Sequence, residues 1–206
     1  MVIAFLTGFF LGLSLIVAIG AQNSFVLRQG IIGQHVFYLA LFCALSDTLL
    51  IIFGVAGISF FLNNFVTQFS NWLFGFSALW LLGYGILRLK AAFKANIMLE
   101  IEASKSKGLL STISIAAILT FANPHVYLDT MILIGSVSQQ FNGEDKLAFT
   151  LGASIASFVF FFILAYGAKL LEPVMRRPSS WRVLDCLIAF IMFTIAFKLV
   201  SIGNWL

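Results

Sequence analysis

The sequence is poor in charge and in cysteine, and each shortage excludes a class of protein. Only 10 % of the 206 residues are charged, whereas a soluble globular domain carries about 25 %. A soluble surface cannot be built from this composition, which excludes a cytosolic enzyme, and the 61 % apolar content excludes a disordered chain. The two cysteines form neither a metal-binding motif nor a disulfide framework. We therefore expect no resident metal and no cofactor.

Long apolar segments dominate the chain instead. The mean hydropathy is +1.06. A transmembrane helix needs roughly 20 apolar residues, and six candidate spans meet that length. They cover approximately residues 2–27, 36–62, 69–89, 109–137, 147–171 and 183–202. The sequence therefore predicts an all-α integral membrane protein, with residues 1–206 forming a single transmembrane domain of six helices in the lipid bilayer.

The positive charges predict the orientation of these spans. If the span ends alternate sides, ten of the twelve Lys and Arg residues fall on one side, which the positive-inside rule places in the cytoplasm. Both termini then lie on the periplasmic side. The basic loops are interpreted as topology signals rather than as nucleic-acid-binding patches. Asp185, near the cytoplasmic start of span 6, is expected to be solvated.

The two halves of the chain share a weak pattern of polar residues. The first span of each half carries an Asn beside a helix-interrupting feature, in Gly20-Ala21-Gln22-Asn23 and in Asn123-Pro124. With three spans in each half, the halves point in opposite directions. Inverted repeats with discontinuous helices are typical of secondary transporters. The sequence thus predicts two inverted three-helix repeats, about 1–90 and 109–206, with a cytoplasmic linker over about 90–108 and breaks in helices 1 and 4.

The predicted break in helix 4 has a defined chemistry. Asn is a good N-cap and Pro is favoured at the first helical position, so Asn123-Pro124 predicts a fresh half-helix inside the membrane. Its free N–H groups and positive dipole end suit a carboxylate. A proline kink in an ordinary span is the alternative. In span 1, Gly20 is the strong breaker, and the adjacent amides of Gln22 and Asn23 indicate a lined cavity at a depth that the sequence leaves open.

Two acidic residues lie within predicted spans. Asp47 is near the middle of span 2, and Asp129 follows Pro124 in span 4. A charge at the bilayer centre costs at least about 2.5–3.5 kcal/mol, so such a residue faces a cavity, finds a partner or is protonated. No buried Lys or Arg is obviously opposite them, which predicts an exchangeable cation: a proton, a metal ion or a cationic organic solute. A hydrogen-bonded or protonated contact between helices is the structural alternative.

Two further residues of span 4 are assigned to the same site. His125 and Asp129 are four positions apart and share a face of an α-helix. His125 either lines the site or relays protons. Asn123 and Tyr127 share a neighbouring face, and Tyr127 is the aromatic residue expected at the site.

These motifs resemble those of the LysE-type exporters of basic amino acids. The resemblance covers nearly the whole chain, and the most specific stretches are 20–26, 44–48 and 123–130. Family members usually have Pro where this chain has Ala21. The resemblance implies export of L-arginine, L-lysine or similar amino acids across the bacterial inner membrane. The proton motive force would drive this export, and the mechanism would be alternating access.

The residues themselves fit a basic amino acid, which has one carboxylate and two cationic groups. The half-helix start at Asn123-Pro124, with Gln22 and Asn23, would hold the substrate carboxylate. Asp47 and Asp129 would hold the cationic groups and carry the protons, and His125 and Tyr127 would line the site. The oligomeric state is left open.

Three other functions are alternatives to the export of basic amino acids. The same fold could export a neutral amino acid or a divalent cation, but hard cations prefer six or more oxygen ligands. An intramembrane aspartyl protease would usually place its Asp in a Gly-x-Gly-Asp context, and neither Asp47 nor Asp129 has one. A structural membrane subunit would not retain uncompensated buried acids. We therefore expect a transporter and not an enzyme.

Overall fold

The computed structural model describes residues 1–17, 20–93, 108–123, 126–175 and 177–202. These residues are helical apart from short connections, with no strand among them. The predicted all-α class is therefore confirmed. Pro124, His125 and residues 94–107 of the predicted linker lie outside the described residues.

The order of the helices follows the predicted apolar segments. The first half contains α1 (Val2–Ile16), α2 (Ala21–Ile32), α3 (Val36–Phe53), a π-helical turn (Gly54–Ile58) and α4 (Ser59–Ala92). The second half contains α5 (Leu109–Phe121), a π-helical segment (Tyr127–Leu133), α6 (Ile134–Ser138), α7 (Gly143–Gly167), a 3-10 turn (Ala168–Leu171), α8 (Glu172–Met175) and α9 (Pro178–Ile202).

Three continuous helical stretches are long and apolar enough to cross a membrane. They are Val36–Ala56, Gly143–Met175 and Pro178–Ser201. Helices α1 and α2, which meet at an angle of 82°, form a fourth candidate if the bent pair is one span. The six-span layout stays a prediction. Residues 63–68, predicted to separate spans 2 and 3, are instead part of the long helix α4.

The outer surface of these helices is apolar. Ile3, Leu110 and Leu170 are 80 %, 81 % and 83 % exposed. Large exposed apolar side chains are costly in water and compatible with hydrocarbon. The surface therefore agrees with the composition in indicating a protein surrounded by lipid.

Small residues bring α1 and α7 into close contact. A Cβ atom at Gly8 would collide with the backbone oxygen of Phe149, and one at Gly12 would lie 3.2 Å from the Cα atom of Ala153. Gly152 in turn lies against the backbone of Phe5. Small residues spaced four apart let helix backbones approach closely in membranes, where apolar burial between helices provides little driving force. Helix α3 packs against the same α7, and α4 lies along α9.

We expect Gly8→Ala to destabilise the protein, because the added methyl group has no space against the α7 backbone. Overpacking of this kind typically costs about 1–3 kcal/mol. Gly83→Ala is the matched control, since a Cβ at Gly83 meets nothing within 4 Å and Ala is the better helix former. Thermal unfolding of the two purified variants in detergent checks this. An unchanged melting temperature for Gly8→Ala would contradict the close packing.

Candidate functional site

One internal cavity collects most of the predicted site residues. Its volume is about 90 Å³. Five of the predicted residues line it: Gln22, Asn23, Asp47, Asn123 and Asp129. The cavity therefore lies where the two interrupted segments, α1–α2 and α5–α6, meet α3. Asp47 and Asp129, which the sequence could not place relative to one another, share this cavity.

The rest of the lining comes from residues that the sequence analysis did not single out. Leu81 of α4, Phe161 of α7 and Ile195 of α9 contribute apolar surface, and Thr130 adds a hydroxyl beside Asp129. An apolar residue within an apolar helix gives no sequence signal of a site. Thr130 could have been found, because it is polar and follows Asp129 directly.

Asp47 is buried with a weak polar partner. It is 4 % exposed, and the hydroxyl of Ser157 donates to its Oδ2 atom over 3.5 Å. Asp47 forms no ion pair with any residue in the described part of the chain. Ser157 belongs to α7, which explains why the packing of α3 against α7 matters to the site. A cationic ligand in the cavity would find this carboxylate close to the lining surface.

The N-terminus of α2 opens onto the cavity. Its N-cap is Gly20, which has no side chain to occupy the first free N–H groups of the helix. Gln22 is 8 % exposed, and its Nε2 atom has no hydrogen-bond partner among the described residues. Backbone N–H groups at a helix N-terminus attract anions. Together with the free amide of Gln22 they form a donor set that suits a carboxylate.

Both helix breaks are stabilised by the same type of hydrogen bond. Asn23 donates from Nδ2 to the backbone oxygen of Ile16 over 2.7 Å. The hydroxyl of Tyr127 donates to the backbone oxygen of Phe121 over 2.8 Å. Each acceptor is a carbonyl at the C-terminal end of α1 or α5, where the helix leaves its last carbonyl groups unpaired. At each break, a polar side chain from the following segment thus donates a hydrogen bond to one of these carbonyl groups.

Tyr127 makes this bond and does not line the cavity. Its role as a direct substrate contact stays a prediction, and the role visible in the structure is to support the break. Asn23 does both, because it lines the cavity and bonds to Ile16. The sequence pattern could not separate these roles, since a polar residue near a break is expected in either case.

The segment that carries Asp129 is π-helical. It spans Tyr127–Leu133, and π-helical turns in proteins are frequent at functional sites. His125 lies outside the described residues, so its predicted alignment with Asp129 stays a prediction. Gly54, in the other π-helical turn, packs on the backbone of Met131, where a Cβ atom would collide with the Met131 oxygen. The two π-helical segments therefore support one another beside the cavity.

Asp185 is not solvated, which corrects the expectation from its position near a span end. It is 1 % exposed. Arg28 of α2 and Arg88 of α4 both form ion pairs with it. Its surroundings are buried because α2, α4 and α9 converge there, an arrangement that a position count along one span cannot reveal.

The sequence is similar to those of known proteins along almost its whole length. The model of the LysE type translocator family matches residues 13–203. Proteins named "Arginine exporter protein ArgO" from Salmonella paratyphi A, Salmonella enteritidis PT4 and Salmonella typhimurium are each 38 % identical over 207 residues, covering 98 % of this chain and 96 % of the relative. No solved structure matches the chain. The resemblance read from the motifs is confirmed.

We expect Tyr127→Phe to destabilise the fold by about 1 kcal/mol, because the Phe121 carbonyl loses its hydrogen bond. Tyr166→Phe is the matched control, because Tyr166 is half exposed on α7 and its hydroxyl forms no hydrogen bond with the described residues. Thermal unfolding of both variants in detergent provides the measurement. Equal melting temperatures would show that the bond to Phe121 contributes nothing.

Proposed function

Since the chain belongs to the LysE type translocator family, we propose that it is a secondary exporter of arginine, and also of lysine, across the bacterial inner membrane. Membership of a translocator family agrees with the expectation of a transport protein rather than an enzyme. The three span-length apolar helices support a multi-pass location in that membrane.

The observation that carries the proposal is the shared cavity of Asp47, Asp129 and the N-terminus of α2. A basic amino acid has one carboxylate and two cationic groups. Its carboxylate would accept hydrogen bonds from Gln22 and the first N–H groups of α2, with Asn123 beside them. The ammonium and side-chain cation would pair with Asp47 and Asp129. Charge-assisted hydrogen bonds of this kind are roughly twice as strong as neutral ones.

Alternating access is supported by the small size of the cavity. Its volume of about 90 Å³ is well below the roughly 300 Å³ at which ligand pockets usually begin. We infer that the described conformation leaves too little room for an amino acid and that substrate enters when the helices around the site separate. The two interrupted segments supply movable half-helices at the site, as in other transporters with broken helices.

Proton exchange would supply the driving force. Export of a cation works against an inside-negative potential at about 2.3 kcal/mol per charge per 100 mV. Asp47 and Asp129 can bind either the cationic groups of the substrate or protons. Competition between the two at the same carboxylates couples outward movement of substrate to inward movement of protons.

The proposed topology keeps both termini on the periplasmic side. It joins two inverted repeats, about 1–90 and 109–206, into a single domain through a cytoplasmic linker. The matching hydrogen bonds of Asn23 and Tyr127 at the two breaks support a relation between the halves. Nothing in the described residues requires a second copy of the chain at the site, so the proposal is made for one subunit.

We expect Asp47→Asn and Asp129→Asn each to abolish arginine efflux while leaving membrane insertion intact, because the cationic groups lose a charged partner. Efflux is measured from cells that lack their own exporter and are preloaded with labelled arginine. Asp145→Asn is the control, since Asp145 is half exposed at the start of α7 and pairs with the N-terminus instead. Full activity in both cavity variants would exclude the two-acid site.

The same assay tests substrate class and coupling. We expect lysine to leave with arginine, leucine to stay, and a protonophore to stop the efflux. Leucine efflux would favour a neutral amino acid as substrate and remove the role of the two acids. No efflux of any of the three, from protein confirmed in the membrane, would favour the divalent-cation alternative.

Gln22→Leu tests recognition of the carboxylate. Leu keeps the approximate side-chain size but removes the amide donor. We expect arginine to lose its advantage over agmatine, which has the same guanidinium group without a carboxylate, by about tenfold, the usual effect of one hydrogen bond to a charged group. The measurement is competition of each compound with labelled arginine. An unchanged preference would show that Gln22 does not contact the carboxylate.

A further inference from the structure

A second charged cluster lies away from the cavity, and the function proposed above does not use it. The Asp185 side chain is 2 % exposed, and its Oδ1 atom lies 3.1 Å from Nη1 of Arg28 and 3.5 Å from Nη1 of Arg88. Each guanidinium also lies over an aromatic ring, Arg28 over Trp181 at 5.0 Å and Arg88 over Tyr84 at 5.2 Å. These five residues are called the Asp185 cluster below.

The Asp185 cluster is built on three helices that also line the cavity. Helices α2, α4 and α9 supply Gln22, Leu81 and Ile195 to the cavity. On the same helices, Arg28, Arg88 and Asp185 lie about 9 to 15 Å from these cavity residues along the helix axes, at 1.5 Å per residue. Buried apolar residues of the three helices, including Ile188 and Met192, pack between the two levels. The cluster therefore closes the bundle beyond the cavity on one side.

We propose that the Asp185 cluster is the gate that closes this side of the transport path. This inference rests on the proposed function, because only a transporter needs such a gate. The cluster lies at the C-terminal ends of α2 and α4 and at the start of α9. The positive-inside rule places this side of the protein in the cytoplasm. Opening this side of the cavity requires α2, α4 and α9 to separate where the cluster joins them.

The chemistry of the cluster suits a contact that opens and closes. A buried ion pair contributes little net stability compared with apolar residues of the same volume, because both charges lose their hydration. When water enters, the separated charges regain that hydration. An apolar seal would instead have to expose its surface to water. The ionic contact can therefore separate at a lower cost in free energy than an apolar seal of the same volume.

Cys43 provides a native reporter of access to the buried residues that surround the cavity. It is one of two cysteines in the chain, it is fully buried, and it belongs to the same buried cluster as Ile16 and Phe161, which line the cavity. It lies one helical turn before Asp47. With Cys186→Ser as the common background, Cys43 is the single thiol. A small, membrane-impermeant methanethiosulfonate reagent is applied to right-side-out and to inside-out vesicles, so that each face of the membrane is tested separately.

Asp185→Asn leaves both arginines largely buried without a charged partner in the closed state, whereas in the open state water would hydrate them. We expect it to speed modification of Cys43 from the cytoplasmic face by about tenfold, the population shift that follows loss of a charge-assisted hydrogen bond in one of two states. Modification from the opposite face is expected to stay unchanged. Asp145→Asn, which breaks the ion pair with the N-terminus, is the matched control and is expected to change neither rate.

An unchanged rate from the cytoplasmic face would overturn the gate, and so would an equal increase from both faces, which indicates general loosening. If Asp185→Asn is not recovered in the membrane, Arg88→Gln decides in its place. Arg88 is the more exposed of the two arginines and the more distant from Asp185, so its loss leaves the Arg28 pair intact. A faster rate from the cytoplasmic face supports the gate, and an unchanged rate overturns it.

Adding arginine to the reagent separates this inference from the proposed function. Protection of Cys43 by arginine, but not by leucine, reports substrate in the cavity whether or not the cluster is a gate. Protection with an unchanged rate in Asp185→Asn would retain the exporter and overturn the gate. A faster rate in Asp185→Asn without protection would retain a gated cavity and reject the basic amino acid as its ligand.

Discussion

A membrane interior offers no water to an unpaired backbone group, and the site of this protein depends on how that constraint is met. A cavity bordered by helix ends exposes carbonyl and N–H groups that a continuous helix would pair internally. The carbonyl ends are satisfied from within the chain, by Asn23 bonding to Ile16 and Tyr127 bonding to Phe121. The N-terminal end of α2 borders the cavity, since Gly20, Ala21 and Gln22 are among the residues that line it. The carbonyl end of each break is therefore paired within the chain, whereas the N-terminus of α2 is available for binding.

Asp47 and Asp185 are both buried, and their neighbours determine whether each carboxylate is available to a ligand. Asp47 accepts a long hydrogen bond of 3.5 Å from the hydroxyl of Ser157, which leaves its charge available to a ligand. Asp185 forms ion pairs with two arginines of the protein itself, so its charge is not available to a ligand. The residue type is the same and both are buried. The difference arises because α2 and α4 carry arginines to the level of Asp185.

Close helix approach links the fold to the site. Gly8, Gly12 and Gly152 allow α1 and α7 to touch along their backbones, and α7 then carries Ser157 and Phe161 to the cavity. The contact of Gly54 with Met131 has a similar effect beside the π-helical segment that holds Asp129. Larger residues at these positions would displace the helices that shape the lining, even though none of these glycines lines the cavity itself.

The sequence by itself determined the all-α membrane class, the family and five residues of the cavity. It did so because Gln22, Asn23, Asp47, Asn123 and Asp129 are polar within apolar segments, and the cost of burying them marks them locally. Only the tertiary structure decided that Tyr127 supports a break, that Asp185 is buried, that residues 63–68 are helical, and that Leu81, Phe161 and Ile195 complete the lining. Those features depend on which helices meet, and contacts between residues distant in the chain leave no trace in local hydropathy or spacing.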